Sequence, residues 1–467
     1  MNEDYSGEST ATSNPSGCRS TGRWAPHLSL GRIPSMALVM ALGSGLGCEL
    51  KVQPSQLCKG PDCFDIPTFA DKLEEQLSPC AVGWGFVIYH DGSLHTERSG
   101  GMMRTEADPP ALAFSSFEPA NVASVSKTFT ATAVLQLLDA NGLTPDDLIH
   151  PWLPPEWTRG QGIEDLTFRQ VLTHSAGFRG TLVIAPPFGD EVHQFWTNVD
   201  GNQDGLFDGC NPCLGDYASL QDMVAVGSFQ QYRFPQYDNV NYQLLRVLIA
   251  MLDGLDPNAY QSWPDSAAEA TAERYEQYML ANVFAPAGAL NAVIETPEHA
   301  MRYYPFPDGG RNGFDHGEPI PGVYFVDDER AVSGAGFWNI PLNNMAGLLW
   351  TLRNTETLLP ASLRDAEMFN EVKPFNELLG MYSQDVEDGK AFKHNGGFSY
   401  SLYQDSDCDG MLPDFGCPGG TSIWFAMPND LVVTLHHNSV PNNLMTCGQV
   451  MDPDTLVTQA YKDSWVP

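Results

Sequence analysis

Positive charge is scarce in this sequence. Its 467 residues hold 24 Lys and Arg against 58 Asp and Glu, a formal net charge of −34. A surface of that sign repels phosphate backbones and anionic lipid, which argues against nucleic acid as a partner. Long apolar runs are also missing. The stretch "IPSMALVMALGSGLG" (33–47) is too short to cross a bilayer, and no other segment is long and apolar enough. Two common catalytic signatures are absent. No serine stands in a G-x-S-x-G frame, and there is no HExxH metal motif. The composition that remains, 42% hydrophobic and 11% aromatic, is that of a globular chain able to bury a large core.

What is present begins with a leader. No acidic residue occurs between Glu8 and Glu49, while Arg19, Arg23 and Arg32 precede the apolar run. This pattern predicts an export signal over 1–47, followed by a tether over 48–66. Cys48 ends "GLGC" and is a candidate lipid anchor, the only membrane attachment expected; free secretion is the other reading. Eight further cysteines, an even number, suit an exported chain with disulfides. The close pairs Cys58/Cys63, Cys210/Cys213 and Cys408/Cys417 are the expected bridges, leaving Cys80 and Cys447. Zinc is the competing reading of "CNPC", but no second CxxC or nearby histidine pair completes it.

Along the chain, "IPTFADKLEEQL" (66–77) has helical spacing, and "VGWGFVIYHDGSLHTERSG" (82–100) reads as two strands joined at Asp91-Gly92. The middle is helical patches and polar loops. Strand character returns in "FSYSLYQD" (398–405) and "TSIWFAMPNDLVVTLHHNS" (421–439), followed by a short helix. The economical fold is α+β: one antiparallel sheet built from both chain ends and flanked by helices, with a mostly helical lobe between. The domain over 67–467 then divides into an α/β part, 67–145 and 330–467, and a lobe, 146–329.

Of eight lysines, Lys127 is the only one between Lys72 and Lys373. It lies near the start of a predicted helix, where Val125, Phe129, Val134, Leu137 and Leu138 repeat at helical spacing and Asn141-Gly142 end the run. A surface lysine would serve solubility alone. However, Ser124 stands three residues earlier, in the chain's single S-x-x-K, so hydroxyl and ammonium share one helical face. A serine hydroxyl needs a base to become a nucleophile, and partial burial near a helix N-terminus disfavours the lysine's charge and makes it a usable one.

Three more stretches accompany the tetrad in order: "LTHSAGF" (172–178), Tyr237-Asp238-Asn239, and His394-Asn395-Gly396-Gly397. Together they resemble the serine β-lactamase-like hydrolases, in the branch holding class C β-lactamases, D-alanyl-D-alanine carboxypeptidases, D-aminopeptidases and family VIII esterases. The resemblance covers about 67–465 and includes "VSGAGFWNIPLNNMAGLLWTL" (332–352). It implies that Ser124 is the acylated nucleophile and Lys127 its proton-handling neighbour. Tyr237 would be the general base and Asn239 would orient the substrate. His394 and Gly396 would fill the third motif, and the backbone N–H groups of Ser124 and Gly397 the oxyanion hole. A Tyr237 phenolate at neutral pH needs a depression of about 3 units, roughly 4 kcal/mol, and an ammonium on Lys127 is the candidate source. His174 is given no catalytic role, and Tyr242 is assigned to the core.

The third motif also bears on substrate. β-Lactamases of this branch usually present a lysine where His394 stands, and histidine there resembles the peptidase and esterase members. Trp196, Tyr232, Phe234, Phe337 and Trp338 are expected to roof the site. The expected activity is hydrolysis of a small carboxylic ester or simple amide, with no catalytic cofactor. The alternatives are a D-alanyl-D-alanine carboxypeptidase or D-peptidase acting on peptides, then a β-lactamase, and as a non-enzyme a calcium-stabilised binding protein. Calcium enters through two acidic loops. Asp200, Asn202, Asp204 and Asp208 form one; Asp405, Asp407 and Asp409, before Gly410, form the other. Oxygen ligands at positions 1, 3 and 5 before a glycine turn suit a hard cation, although both loops lack the glutamate at position 12; solvated acidic turns are the equal reading.

Overall fold

The protein is described from a computed structural model. It describes residues 56–59, 62–178, 217–259, 264–295, 297, 299–305, 322, 330, 333–374, 376–399, 419–440 and 453–466. The leader, both acidic loops, Trp196 and Cys48, Cys210, Cys213, Cys408, Cys417 and Cys447 lie outside the described residues. All described residues fall in one unit, Gln53–Pro467.

Fourteen strands occur among them. A small hairpin, β1 (Gln56–Lys59) and β2 (Asp62–Asp65), is closed by the disulfide between Cys58 and Cys63, which face each other in register. Cys80 is disulfide-bonded as well. Asp65 then caps helix α1 (Ile66–Leu77) by accepting from the Thr68 N–H at 2.8 Å, a contact worth about 1 kcal/mol. Strands β3 (Gly83–His90) and β4 (Ser93–Arg104) form the expected hairpin. Its turn residues Asp91 and Gly92 both have positive φ, 47° and 75°, as a right-twisted two-residue turn demands. Two-residue strands follow at β5 (Leu112–Ala113), β6 (Ala120–Asn121), β7 (Tyr304–Pro305) and β8 (Asn339–Ile340).

The C-terminal strands are β9 (Tyr382–Val386), β10 (Gly389–Ser399), β11 (Gly419–Ala426), β12 (Leu431–His437), β13 (Ser439–Val440) and β14 (Trp465–Val466). The main sheet has nine strands: β9-β10-β11-β12-β3-β4-β5 run antiparallel, β7 joins β11, and β13 pairs with β7 in parallel, so strands from both chain ends meet where β12 pairs with β3. Alternation along those strands separates two cores. Trp84, Phe86, Ile88, Leu431, Val433 and Leu435 face α1 and the last helix, α9, given below. Val87 and Val432 face the other way, toward a larger core shared with the helical middle of the chain.

That middle holds α2 (Ser126–Ala140), α3 (Phe168–Leu172), α4 (Tyr217–Val226), α5 (Asn239–Leu252) and α6 (Pro264–Tyr278). Helices α7 (Leu342–Asn354), α8 (Ala361–Glu367) and α9 (Pro453–Lys462) follow. No described helix is long and apolar enough to cross a membrane.

Two sequence expectations need correction. The His394 motif does not precede a strand: it lies inside β10, with His394 opposite Trp424 and Gly396 opposite Ser422. At Gly396 the absent side chain is what lets the strand approach its neighbour. A Cβ on Gly396 would stand 2.3 Å from the Val122 carbonyl oxygen. Trp338 does not roof a site. It is fully buried, with its Nε1–H donating to the Tyr275 hydroxyl at 3.0 Å and its ring 4.5 Å from that of Phe284.

Candidate active site

Ser124 sits in a 3-10 turn, Ala123–Val125, that leads directly into α2. One turn of helix brings Lys127 back to it, with Nζ 2.9 Å from Ser124 Oγ. Lys127 is wholly buried, and its Nζ also donates to the Ala335 carbonyl at 2.6 Å. Burial holds its pKa well below the usual lysine range, with the nearby Asp238 charge opposing. From the opposite side the Tyr237 hydroxyl lies 2.7 Å from Ser124 Oγ. The Tyr237 ring faces Lys127 Nζ at 5.0 Å, and Tyr242, fully buried beneath, at 5.8 Å. Asp238 caps α5 by accepting from the Val240 N–H at 3.0 Å, which fixes the segment carrying Tyr237 and Asn239.

The electrostatics reverse the expectation of a phenolate beside an ammonium. Loss of hydration raises the Tyr237 pKa, and the Ser124 contact offsets only part of this. The same cause pushes Lys127 toward the neutral amine. The wholly buried Lys127 has no water to sustain a charge, whereas Tyr237, 47% exposed, keeps part of its hydration.

His174 hydrogen-bonds to the backbone of the neighbouring motif. Its Nδ1 lies 2.9 Å from the Asp238 carbonyl oxygen, and its ring is 4.6 Å from that of Tyr237, so it supports the segment bearing that hydroxyl. His394 is buried, with Nδ1 2.6 Å from the Asn395 carbonyl oxygen. Burial above all pushes the pKa of each histidine down to about 3.

Ser124 opens into a cleft of about 740 Å³. Asn239 and Gly397 border it, with Asn121, Phe337, Tyr382 and Asn395. The Asn239 Oδ1 is buried and has no partner among the described residues. His394 instead borders a smaller cavity of about 210 Å³ behind Tyr237, which corrects its placement on the substrate face. On a strand, neighbours alternate sides, so Lys393 and Asn395 take the cleft and His394 the interior. Lys393 is ion-paired with Asp454 from the first turn of α9. Of the expected roof, Phe337 borders the cleft whereas Tyr232 and Phe234 do not. Tyr382 was missed because it begins β9, a short polar strand with little apolar alternation.

A family model described as Beta-lactamase matches residues 69–447. The chain belongs to the beta-lactamase family. No curated protein matches it. Among solved structures, a D-stereospecific amidohydrolase from Streptomyces sp. is 18% identical with a TM-score of 0.55, covering 83% of this chain and 98% of its own. The D-amino acid amidase from Ochrobactrum anthropi SV3, complexed with D-phenylalanine, is also 18% identical at 0.55, covering 85% and 99%. The octameric penicillin-binding protein homologue from Pyrococcus abyssi is 17% identical at 0.52, covering 82% and 75%. The beta-lactamase-family fold is thereby shared across these proteins, antiparallel sheet and helices alike.

Proposed function

We propose that this beta-lactamase-family protein is an exported serine hydrolase that cleaves a simple amide or carboxylic ester through an acyl-enzyme on Ser124. One observation carries the reading: Ser124 Oγ lies between Lys127 Nζ at 2.9 Å and the Tyr237 hydroxyl at 2.7 Å. In its neutral form Lys127 keeps an N–H on the Ala335 carbonyl and turns its lone pair to Ser124. It takes the Ser124 proton as Oγ bonds to the substrate carbonyl carbon. The backbone N–H groups of Ser124 and Gly397 receive the developing oxyanion. Tyr237, still protonated, gives its proton to the leaving nitrogen or oxygen as that bond breaks, and regains one from Lys127. Water then attacks the acyl carbon and gives its proton to the neutral Lys127; as the bond to Ser124 Oγ breaks, Oγ takes a proton from Tyr237, which Lys127 restores. Asn239 orients the substrate.

The amidohydrolase and amidase named above support the amide side of this reading as relatives in fold. The Cys58–Cys63 disulfide supports an oxidising compartment outside the cytoplasm. A fluorophosphonate probe should label Ser124 alone, mapped by mass spectrometry, and Ser124→Ala should abolish turnover of p-nitrophenyl butyrate. Labelling elsewhere, or turnover that survives the substitution, removes the mechanism.

A further inference from the structure

The residue before the proposed nucleophile is strained. Ala123 has φ of 47°, the left-handed region that an alanine adopts only at a cost. What holds it there is Asn121, a buried residue whose Oδ1 accepts the Ala123 N–H at 2.8 Å, closing a turn two residues long. A second strained residue lies just before β8, the strand that pairs with β6. Phe337 has φ of 71°, and the Nδ2 of Asn339 donates to its carbonyl at 3.3 Å. Asn121 and Asn339 are themselves opposite one another in that ladder.

Three contacts join the two segments. The Val122 N–H donates to the Trp338 carbonyl at 2.9 Å, the Trp338 N–H to Ser126 Oγ at 3.4 Å, and Lys127 Nζ to the Ala335 carbonyl at 2.6 Å. The ladder therefore fixes the serine's turn and the lysine's acceptor relative to each other. Gly396 closes the remaining side, since a Cβ there would stand 2.8 Å from Ser124 N and 3.0 Å from the Ala123 Cβ.

We propose that Asn121 is a positioning residue for Ser124: its side-chain carbonyl locks Ala123 in the left-handed conformation that sets Ser124 Oγ between Lys127 and Tyr237. This rests on the reading of Ser124 as the nucleophile. Asn121→Ala frees the Ala123 N–H, and the turn relaxes toward a conformation that alanine prefers. Glycine at 123 adopts positive φ without that penalty, so it should not need the lock.

The test measures the second-order rate of Ser124 labelling by a fluorophosphonate, with the melting temperature recorded alongside. Asn121→Ala should slow labelling by about tenfold or more, the scale of one lost hydrogen bond. In an Ala123→Gly background the same substitution should slow it by less than about threefold. A purely structural role for Asn121 would give equal losses in both backgrounds, and that result overturns the proposal, as does labelling of Asn121→Ala at the unmutated rate. Asn121→Ser, whose hydroxyl can accept the same N–H, covers the case in which the alanine variant fails to fold. It should label faster in the Ala123→Gly background than alone, and no difference there overturns the proposal too. Failure of the unmutated chain to label removes the role of Ser124 and the lock with it, whereas labelling insensitive to Asn121 removes the lock alone.

Discussion

Lys127 carries opposite consequences for stability and for chemistry. Burial depresses its pKa in the folded chain, while the unfolded chain has the ordinary value of about 10.4. Between those two values unfolding takes up a proton, so this residue's contribution makes stability rise with pH and costs least near 10.4. Lys127→Met should therefore compare best with the unmutated chain at pH 7. Its relative melting temperature should fall by about 1–4 °C as the pH is raised to 9.5. Parallel melting curves across that range would show that the amine is not desolvated. His394 supplies a second prediction. With a pKa of about 3 it is neutral, and it borders the cavity behind Tyr237, not the cleft. Lys393, the neighbouring cation that does border the cleft, is already paired with Asp454 and so is not free to hold a β-lactam carboxylate, and nitrocefin turnover should be slower than that of a short-chain ester by about a hundredfold or more. Comparable rates would favour the β-lactamase activity. The residues meeting at Ser124 were legible in sequence because each motif is short and local. Charge state was not, because it depends on water lost to segments such as 335–339, far along the chain.

At the scale of elements, β10 shows how close an approach the site requires. A Cβ on Gly396 would meet Val122 O at 2.3 Å and Ser124 N at 2.8 Å, both backbone atoms that cannot move aside cheaply. A Cβ on Gly397 would meet Thr421 Oγ1 at 3.8 Å and the Gly420 carbonyl oxygen at 3.9 Å, both ordinary contacts. Gly396→Ala should slow Ser124 labelling by about a hundredfold or more, and Gly397→Ala by about tenfold at most. Equal losses would mean that β10 tolerates displacement from the serine's turn. The hairpin at Asp91-Gly92 and the helix ending at Asn141-Gly142 were readable because turn chemistry is local. The extent of β10 was not, since its glycines answer to Val122 and Ser124 rather than to their own neighbours. Nor was β9, whose sequence YSQDV lacks a buried face to betray it.

For the whole molecule, the −34 charge is a standing repulsion that salt screens, so the melting temperature should rise with added sodium chloride. Calcium held by the acidic loops, Asp200–Asp208 and Asp405–Asp409, should raise it further at matched ionic strength. At ten times Kd each occupied site adds about 1.4 kcal/mol. That increment should vanish in Asp204→Ala combined with Asp409→Ala; a curve that follows ionic strength alone would leave the loops as plain acidic turns. The sheet, finally, has a history as well as a shape. Its central ladder sets Trp84 against His437, so the β3–β4 hairpin keeps an unpaired edge until nearly the whole chain has been synthesised. At 5–20 residues per second that wait is about 20–70 s, during which the exposed edge can join a neighbouring nascent chain instead. Yield from a cell should then depend on how quickly ribosomes traverse residues 105–437, and a chaperone that covers strand edges should matter more to this protein than one that accelerates helix packing.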